Sequence, residues 1–238
     1  AKDLEQIKSH GINISEIEKQ LEHFKNGFPP LDLVKPAILG DGLVGFDDKD
    51  AAQQESEFNK EITRLSILKF VPASGAASRM FKSLLEFRNK NLSPAEQAEE
   101  LKKDNSFDSL AKFYDNIDKF AFYQKLYETL ALENIDLQTL TENNDYYTII
   151  DFLLTEKGLN YTNLPKALLL FHYHNEIVRT SLEEHLVEAA SYAKSSDNIA
   201  RLHFTISPEH IIRFELLLRN ILSAYEKELA CMFKITHS

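Results

Sequence analysis

The stretch Lys69-Phe70-Val71-Pro72-Ala73-Ser74-Gly75-Ala76-Ala77-Ser78-Arg79-Met80-Phe81-Lys82 places small residues, a glycine and a cation at a spacing suited to holding phosphate. An apolar run delivers the chain to a turn whose side chains, from Ala73 to Ser78, are too small to keep a ligand off the backbone. Gly75 permits a positive φ there. A helix opening near Ser78 points free N–H groups and its positive dipole end at the same space, and Arg79 adds a fixed charge. Other patterns fail. No Gly-Lys-Ser/Thr follows the loop, a single glycine does not make a dinucleotide fingerprint, and neither Ser74 nor Ser78 sits in Gly-x-Ser-x-Gly. The plain alternative is a tightly packed turn with a surface arginine.

Further chemistry-bearing residues follow later in the chain. Lys166, in Pro165-Lys166-Ala167-Leu168-Leu169, is either a second phosphate-orienting cation or a solvated loop lysine. His172 and His174 alternate in Phe171-His172-Tyr173-His174, so on a strand they face one side and could share a metal. With no third ligand evident nearby, they read instead as residues lining a site. Arg179 and Thr180 precede a helix and read as a surface arginine and a cap, with anion contact as the alternative. His203 and His210 flank the end of a strand, and Ser207 reads as a cap.

The elements that must position these residues are legible in outline. Residues 1–64 form a polar helical segment: Ser15-Glu16-Ile17-Glu18 reads as a capping box, Asn26-Gly27 as a stop, and a further helix runs from about Asp50 to Leu65. Leu65 to Val71 reads as a buried parallel strand, followed by a helix marked by Met80, Leu84, Leu85 and Phe87. Residues 92–160 form a helical insertion opened by Ser93-Pro94-Ala95-Glu96. Its aromatics (Phe107, Phe113, Tyr114, Phe120, Phe122, Tyr123, Tyr127) read as bundle core, because acidic neighbours argue against stacking on nucleic acid. Residues 65–91 and 161–238 form the α/β core: a helix capped by Thr180-Ser181-Leu182-Glu183, a strand from Ala200 to Ile206, a helix opened by Ser207-Pro208-Glu209, and a strand from Cys231 to Ile235. Strand–helix alternation implies parallel pairing with helices on both faces, a three-layer α/β fold. Three strands make a thin sheet, as a truncated fragment of a larger domain would have.

Composition narrows the function classes. A net charge of −10 over 238 residues argues against a general nucleic-acid binder, though a local cationic pocket remains compatible with phosphate ligands. The single cysteine, Cys231, excludes an internal disulfide framework and any multi-cysteine metal site, and its apolar neighbours make it a small core residue. A reducing, cytoplasmic setting is expected. No run is long enough for a membrane span, and the N-terminus has no signal-peptide pattern.

Gly75-Ala76-Ala77-Ser78-Arg79-Met80 resembles the Gly-x-Gly-Thr-Arg-Met/Leu signature of nucleotide-sugar pyrophosphorylases and other sugar-phosphate nucleotidyltransferases, with Ala77 and Ser78 replacing glycine and threonine. Pro165-Lys166-Ala167-Leu168-Leu169 resembles their Pro-Lys-x-Leu-Leu element, and Ser181-Leu182-Glu183-Glu184-His185-Leu186 a following helix. Together they resemble a bacterial domain-of-unknown-function family distantly related to those enzymes. The resemblance implies a nucleotide-diphospho-sugar-transferase-like fold, nucleoside triphosphate and sugar phosphate as ligands, and Mg²⁺ as cofactor. It gives the backbone from Ser74 through Gly75, Ala76 and Ala77 to Ser78 the phosphates, Arg79 the departing pyrophosphate, and Lys166 the phosphates or the attacking sugar phosphate. The family's metal-binding aspartate has no assignable counterpart before Ser238, so the expectation is that this fragment alone is inactive. Two other classes stay open: a non-catalytic sugar-nucleotide-binding or partner-interaction protein, and a phosphosugar enzyme such as an isomerase using His172, His174 or His203 as acid or base.

Overall fold

Three parallel strands organise the α/β part of the molecule, and a computed structural model describes residues 2–107, 109–174 and 176–238. The chain forms two compact units, residues 1–55 and 56–238. In the first, helices α1 (Lys2–Ser9) and α2 (Ile14–Asn26) precede a tight turn pairing the two-residue strands β1 (Ile38–Leu39) and β2 (Gly42–Leu43). The expected Ser15 capping box does not form: Asn13 takes the extended N-cap conformation, which puts Ser15 inside the first turn. Gly27 does stop α2, with φ 76° and its N–H donating to the His23 carbonyl at 2.8 Å. None of residues 2–55 is buried. Helix α3 (Asp48–Glu61) follows.

The second unit begins with β3 (Leu68–Pro72), a 3₁₀ turn (Ser78–Phe81) and α4 (Lys82–Arg88). Five short helices come next: α5 (Pro94–Leu101), α6 (Leu110–Asp115), α7 (Tyr123–Leu132), α8 (Leu137–Glu142) and α9 (Tyr146–Leu154). The hairpin β4 (Leu170–His174) and β5 (Ile177–Thr180) leads into α10 (Ser181–Tyr192), β6 (Ile199–Thr205), α11 (Ile211–Glu228) and β7 (Met232–His237). The sheet order is β3-β6-β7, parallel throughout, with Phe70 opposite His203 and His203 opposite Thr236. Strand β5 has no counterpart in the sequence reading, where Ile177 to Thr180 is simply the approach to a helix.

Within the second unit, the described residues cover the sheet on one face, not two. Ala200, Leu202 and Phe204 are fully buried with Leu182, Leu186 and Ala189 of α10 and with Phe214 and Leu218 of α11. The two helices also touch each other, through a Tyr225 hydroxyl that donates to Glu183 at 3.3 Å. Monotonic strand order explains this: successive right-handed crossovers that advance in one direction deposit their helices on the same side. The fold is therefore mixed α/β with two layers at the sheet, and Leu68, Phe70 and Met232 are exposed on its other face.

Local chemistry sets the element ends. Thr180 and Glu183 form the expected capping box of α10, and Ser93 and Glu96 that of α5. Ser207 makes no side-chain cap bond; Pro208–His210 form a 3₁₀ turn and α11 begins only at Ile211. The helices between β3 and β4 have their own core around Leu126, Ile150 and Leu153. Tyr114 and Phe122 belong to it, whereas Phe107 is 98% exposed and stays outside. Gln97, 2% exposed, donates to the Leu92 carbonyl at 3.1 Å and accepts from Tyr147 N–H at 3.2 Å, stitching α5 to α9. Arg88 of α4 pairs with Asp151 of α9, which Lys157 also approaches at 3.1 Å.

Two outcomes follow for stability. A Cβ added at Gly158 would lie 2.0 Å from the Phe152 carbonyl oxygen, so Gly158→Ala should cost at least about 2 kcal/mol in urea unfolding; an unchanged midpoint would contradict the packing. Burial raises the Asp151 carboxyl, but hydrogen bonds from Arg88 and Lys157 outweigh it and hold the group below its ordinary 3.8. A depressed carboxylate contributes stability above its unfolded value and loses it as pH falls through the folded one. Asp151→Asn should therefore destabilise the protein at neutral pH, with the gap to wild type narrowing as pH falls below 3.8.

Candidate functional site

The carboxyl edge of a parallel sheet collects the loops that follow each strand. Here β3 leads into the Ala73–Ala77 loop, which stays anchored to β6 through Ala73 N–H and the Thr205 carbonyl at 3.0 Å. The loop is bridged from its other side by the segment before β4. Ala76 pairs with Pro165 in an isolated antiparallel bridge, and Lys166 N–H donates to the Gly75 carbonyl at 3.1 Å. The two motifs, far apart in sequence, are thus in direct backbone contact.

A cavity of about 430 Å³ opens beside them, within the size range of small-molecule sites. Ser74 and Ala76 line it from the loop, and Thr162, Asn163 and Leu164 from the segment before Pro165. Ser207, Glu209 and His210 complete it from the turn after β6. The lining is rich in hydroxyl, amide and carboxylate groups; the Thr162 hydroxyl itself donates to the Leu154 carbonyl at 2.7 Å. His210 lies 4.0 Å from Glu209.

The loop differs from its expected form in two respects. Gly75 has no positive φ, although a Cβ there would meet nothing within 4 Å, so the position is open rather than conformationally obligatory. The helix after it starts as a four-residue 3₁₀ turn, with Met80 N–H bonded to the Ala77 carbonyl at 2.9 Å, followed by the short α4. Short 3₁₀ pieces align few peptide dipoles, so less of the expected anion attraction comes from a helix end.

The remaining sequence candidates distribute unevenly. Ala77 is fully buried and packs into the helical core, and Ser78 is half-buried. Arg79 and Lys166 are exposed and are not part of the cavity lining. His203 is occupied on the open sheet face, stacked on Phe70 at 5.3 Å and bonded to Thr236 at 2.8 Å and Ser238 at 3.1 Å. His172 and His174 sit on β4, outside the cavity lining. Thr162, Asn163 and Glu209 escaped the sequence reading. Glu209 joins them only through the neighbouring of β3 and β6, which sets the residues after β6 beside those after β3 and which no local signal announces.

The Mg²⁺ implied by the resemblance finds little support in the donor set. Glu209 is the only carboxylate lining the cavity among the described residues, so such an ion would depend mainly on ligand phosphates. No helix among the described residues is long and apolar enough to cross a membrane.

No curated protein and no solved structure matches the chain, and no comparison supports a likeness to nucleotidyltransferases. A family profile matches residues 1–238 from end to end, and the chain belongs to that family, DUF4301, a domain of unknown function.

Proposed function

We propose that this chain is a nucleotidyltransferase-like protein that binds a nucleoside triphosphate and a sugar phosphate at the carboxyl edge of its sheet. The observation that carries the reading is the backbone contact between the Ser74–Ser78 loop and Pro165-Lys166, which unites both elements of the motif beside one cavity. Hydroxyl, amide and carboxylate groups of the kind lining that cavity suit a polyhydroxy ligand. In this reading Arg79 and Lys166, exposed residues close in sequence to the Ala76–Pro165 bridge, supply the cationic charge for its phosphates. Transfer of this type needs positioning and cationic stabilisation more than an activated side chain. In this reading the nucleoside monophosphate passes to the sugar phosphate and pyrophosphate leaves, with the finer fold assignment that of a nucleotide-diphospho-sugar transferase.

Binding without catalysis is the second reading, and one observation favours it: among the described residues, Glu209 is the single carboxylate lining the cavity. The two readings part on turnover. Calorimetry with UTP, ATP, CTP and GTP, each with Mg²⁺, should find one nucleotide that binds saturably. Arg79→Ala should weaken that binding by about 1.5–3 kcal/mol, the range for a hydrogen bond to a charged group. Pyrophosphate release on adding sugar phosphates then marks an enzyme; tight binding with no release marks a binding protein. Failure of every nucleotide and sugar phosphate to bind sinks both.

Gly75→Ala gives an independent check of the loop. With no positive φ and open space at its Cβ, the substitution should leave folding stability unchanged or raise it by up to about 1 kcal/mol. Nucleotide affinity should nevertheless fall, because the methyl group occupies the space a phosphate would approach. Unchanged affinity would place the ligand elsewhere.

A further inference from the structure

The geometry points to a second site, independent of the cavity: a divalent transition-metal site formed by His172, His174 and Glu184. One donor atom from each of the three lies within 4.8 Å of the others, and no other such group of three occurs among the described residues. A tetrahedral ion with bonds of about 2.0–2.1 Å needs donors about 3.4 Å apart, so side-chain shifts of about 1 Å close the set.

The local sequence explains the convergence. His172 and His174 are two residues apart on β4 and so face the same side, with ring centroids 6.3 Å apart and planes 22° from parallel. The third ligand, which the sequence alone does not reveal, comes from α10. Of the adjacent carboxylates there, Glu183 is consumed by the capping box with Thr180, which leaves Glu184 to face the hairpin.

Glu184 is held as metal-ligating carboxylates usually are. Arg179, opposite His172 in the β4–β5 ladder, donates to Glu184 Oε2 at 3.4 Å. That leaves Oε1 turned toward His174 Nε2, 3.7 Å away. Such outer contacts orient a carboxylate and are a regular part of metal centres. Among the described residues, the buried Arg179 Nε has no hydrogen-bond partner.

Two imidazoles and one carboxylate select borderline ions such as Zn²⁺, Co²⁺ or Ni²⁺ over Mg²⁺ or Ca²⁺, which prefer all-oxygen sets. Three protein ligands leave a coordination position open, the arrangement of reactive rather than purely structural sites. The nearby Arg179 charge opposes the ion, so the site is expected to bind at micromolar rather than picomolar strength.

The test is a titration of the 238-residue, tag-free chain with Co²⁺, followed by its visible d–d absorption, with Zn²⁺ as competitor. One equivalent of Co²⁺ should bind and be displaced by Zn²⁺. His172→Ala, His174→Ala and Glu184→Gln should each weaken binding at least tenfold, while His237→Ala should not. His174 is 59% exposed, so its loss does not threaten folding, and circular dichroism of each variant verifies that the fold is kept. Absence of stoichiometric binding, or binding that survives all three substitutions, overturns the site.

Discussion

Parallel pairing of β3 with β6 is the contact on which the rest of this molecule depends. The two strands run side by side from Leu68↔Arg201 to Pro72↔Thr205, although most of the chain's helices lie between them in sequence. Parallel strands cannot be joined by a tight turn, so everything between them must return the chain to the starting edge. The return is made twice over, through α4–α9 with their own aliphatic and aromatic core and then through the β4–β5 hairpin and α10. With β6 central and β7 added beyond it, all three strands end at one edge, where the loop after β3 meets the turn after β6.

That edge is also the seam between two hydrophobic cores. Val71 and Ala73 belong to the sheet core, whereas Ala77 and Phe81, a few residues later, belong to the helical one. The chain crosses back at Ala167 and Leu169, which divide between the same two cores in the same way. The first crossing runs through the small residues Ala73 to Ala77, and the Ala76–Pro165 bridge ties the two crossings together. Small residues here serve packing at least as directly as they serve a ligand. The fully buried Ala77 illustrates it: its methyl group fills space in the helical core that a glycine would leave empty.

Charge is placed with similar economy on the edge strand. Lys69 points to the covered face of β3, where its ammonium contacts Glu188 and the Tyr192 hydroxyl and lies 4.6 Å from the tyrosine ring. Burial pushes the Glu188 carboxyl up, but hydrogen bonds from Lys69 and His185 outweigh that and hold it below its ordinary range. An inward-pointing lysine on an edge strand is one way proteins discourage unwanted strand addition. The same residues anchor α10 across the sheet and thereby help set where Glu184 lies relative to β4.

Elements whose signals are local were legible in the sequence. The three strands announce themselves as short apolar runs beside turn residues, and the Ser93 and Thr180 boxes by reciprocal side-chain and backbone bonds within four residues. Gly27 ends its helix for the same local reason, whereas the Ser15 box is absent because the helix already begins at Ile14, with Asn13 at the N-cap position. What tertiary structure alone decided is every relation between distant segments. It set both sheet helices on one face, brought Pro165 to Ala76, carried Glu209 into the cavity and added Glu184 to the two histidines. Residue periodicity reports which face of its own strand or helix a side chain occupies. Which other element that face meets depends on strand order and crossover direction, and these emerge only when the whole chain closes its cores.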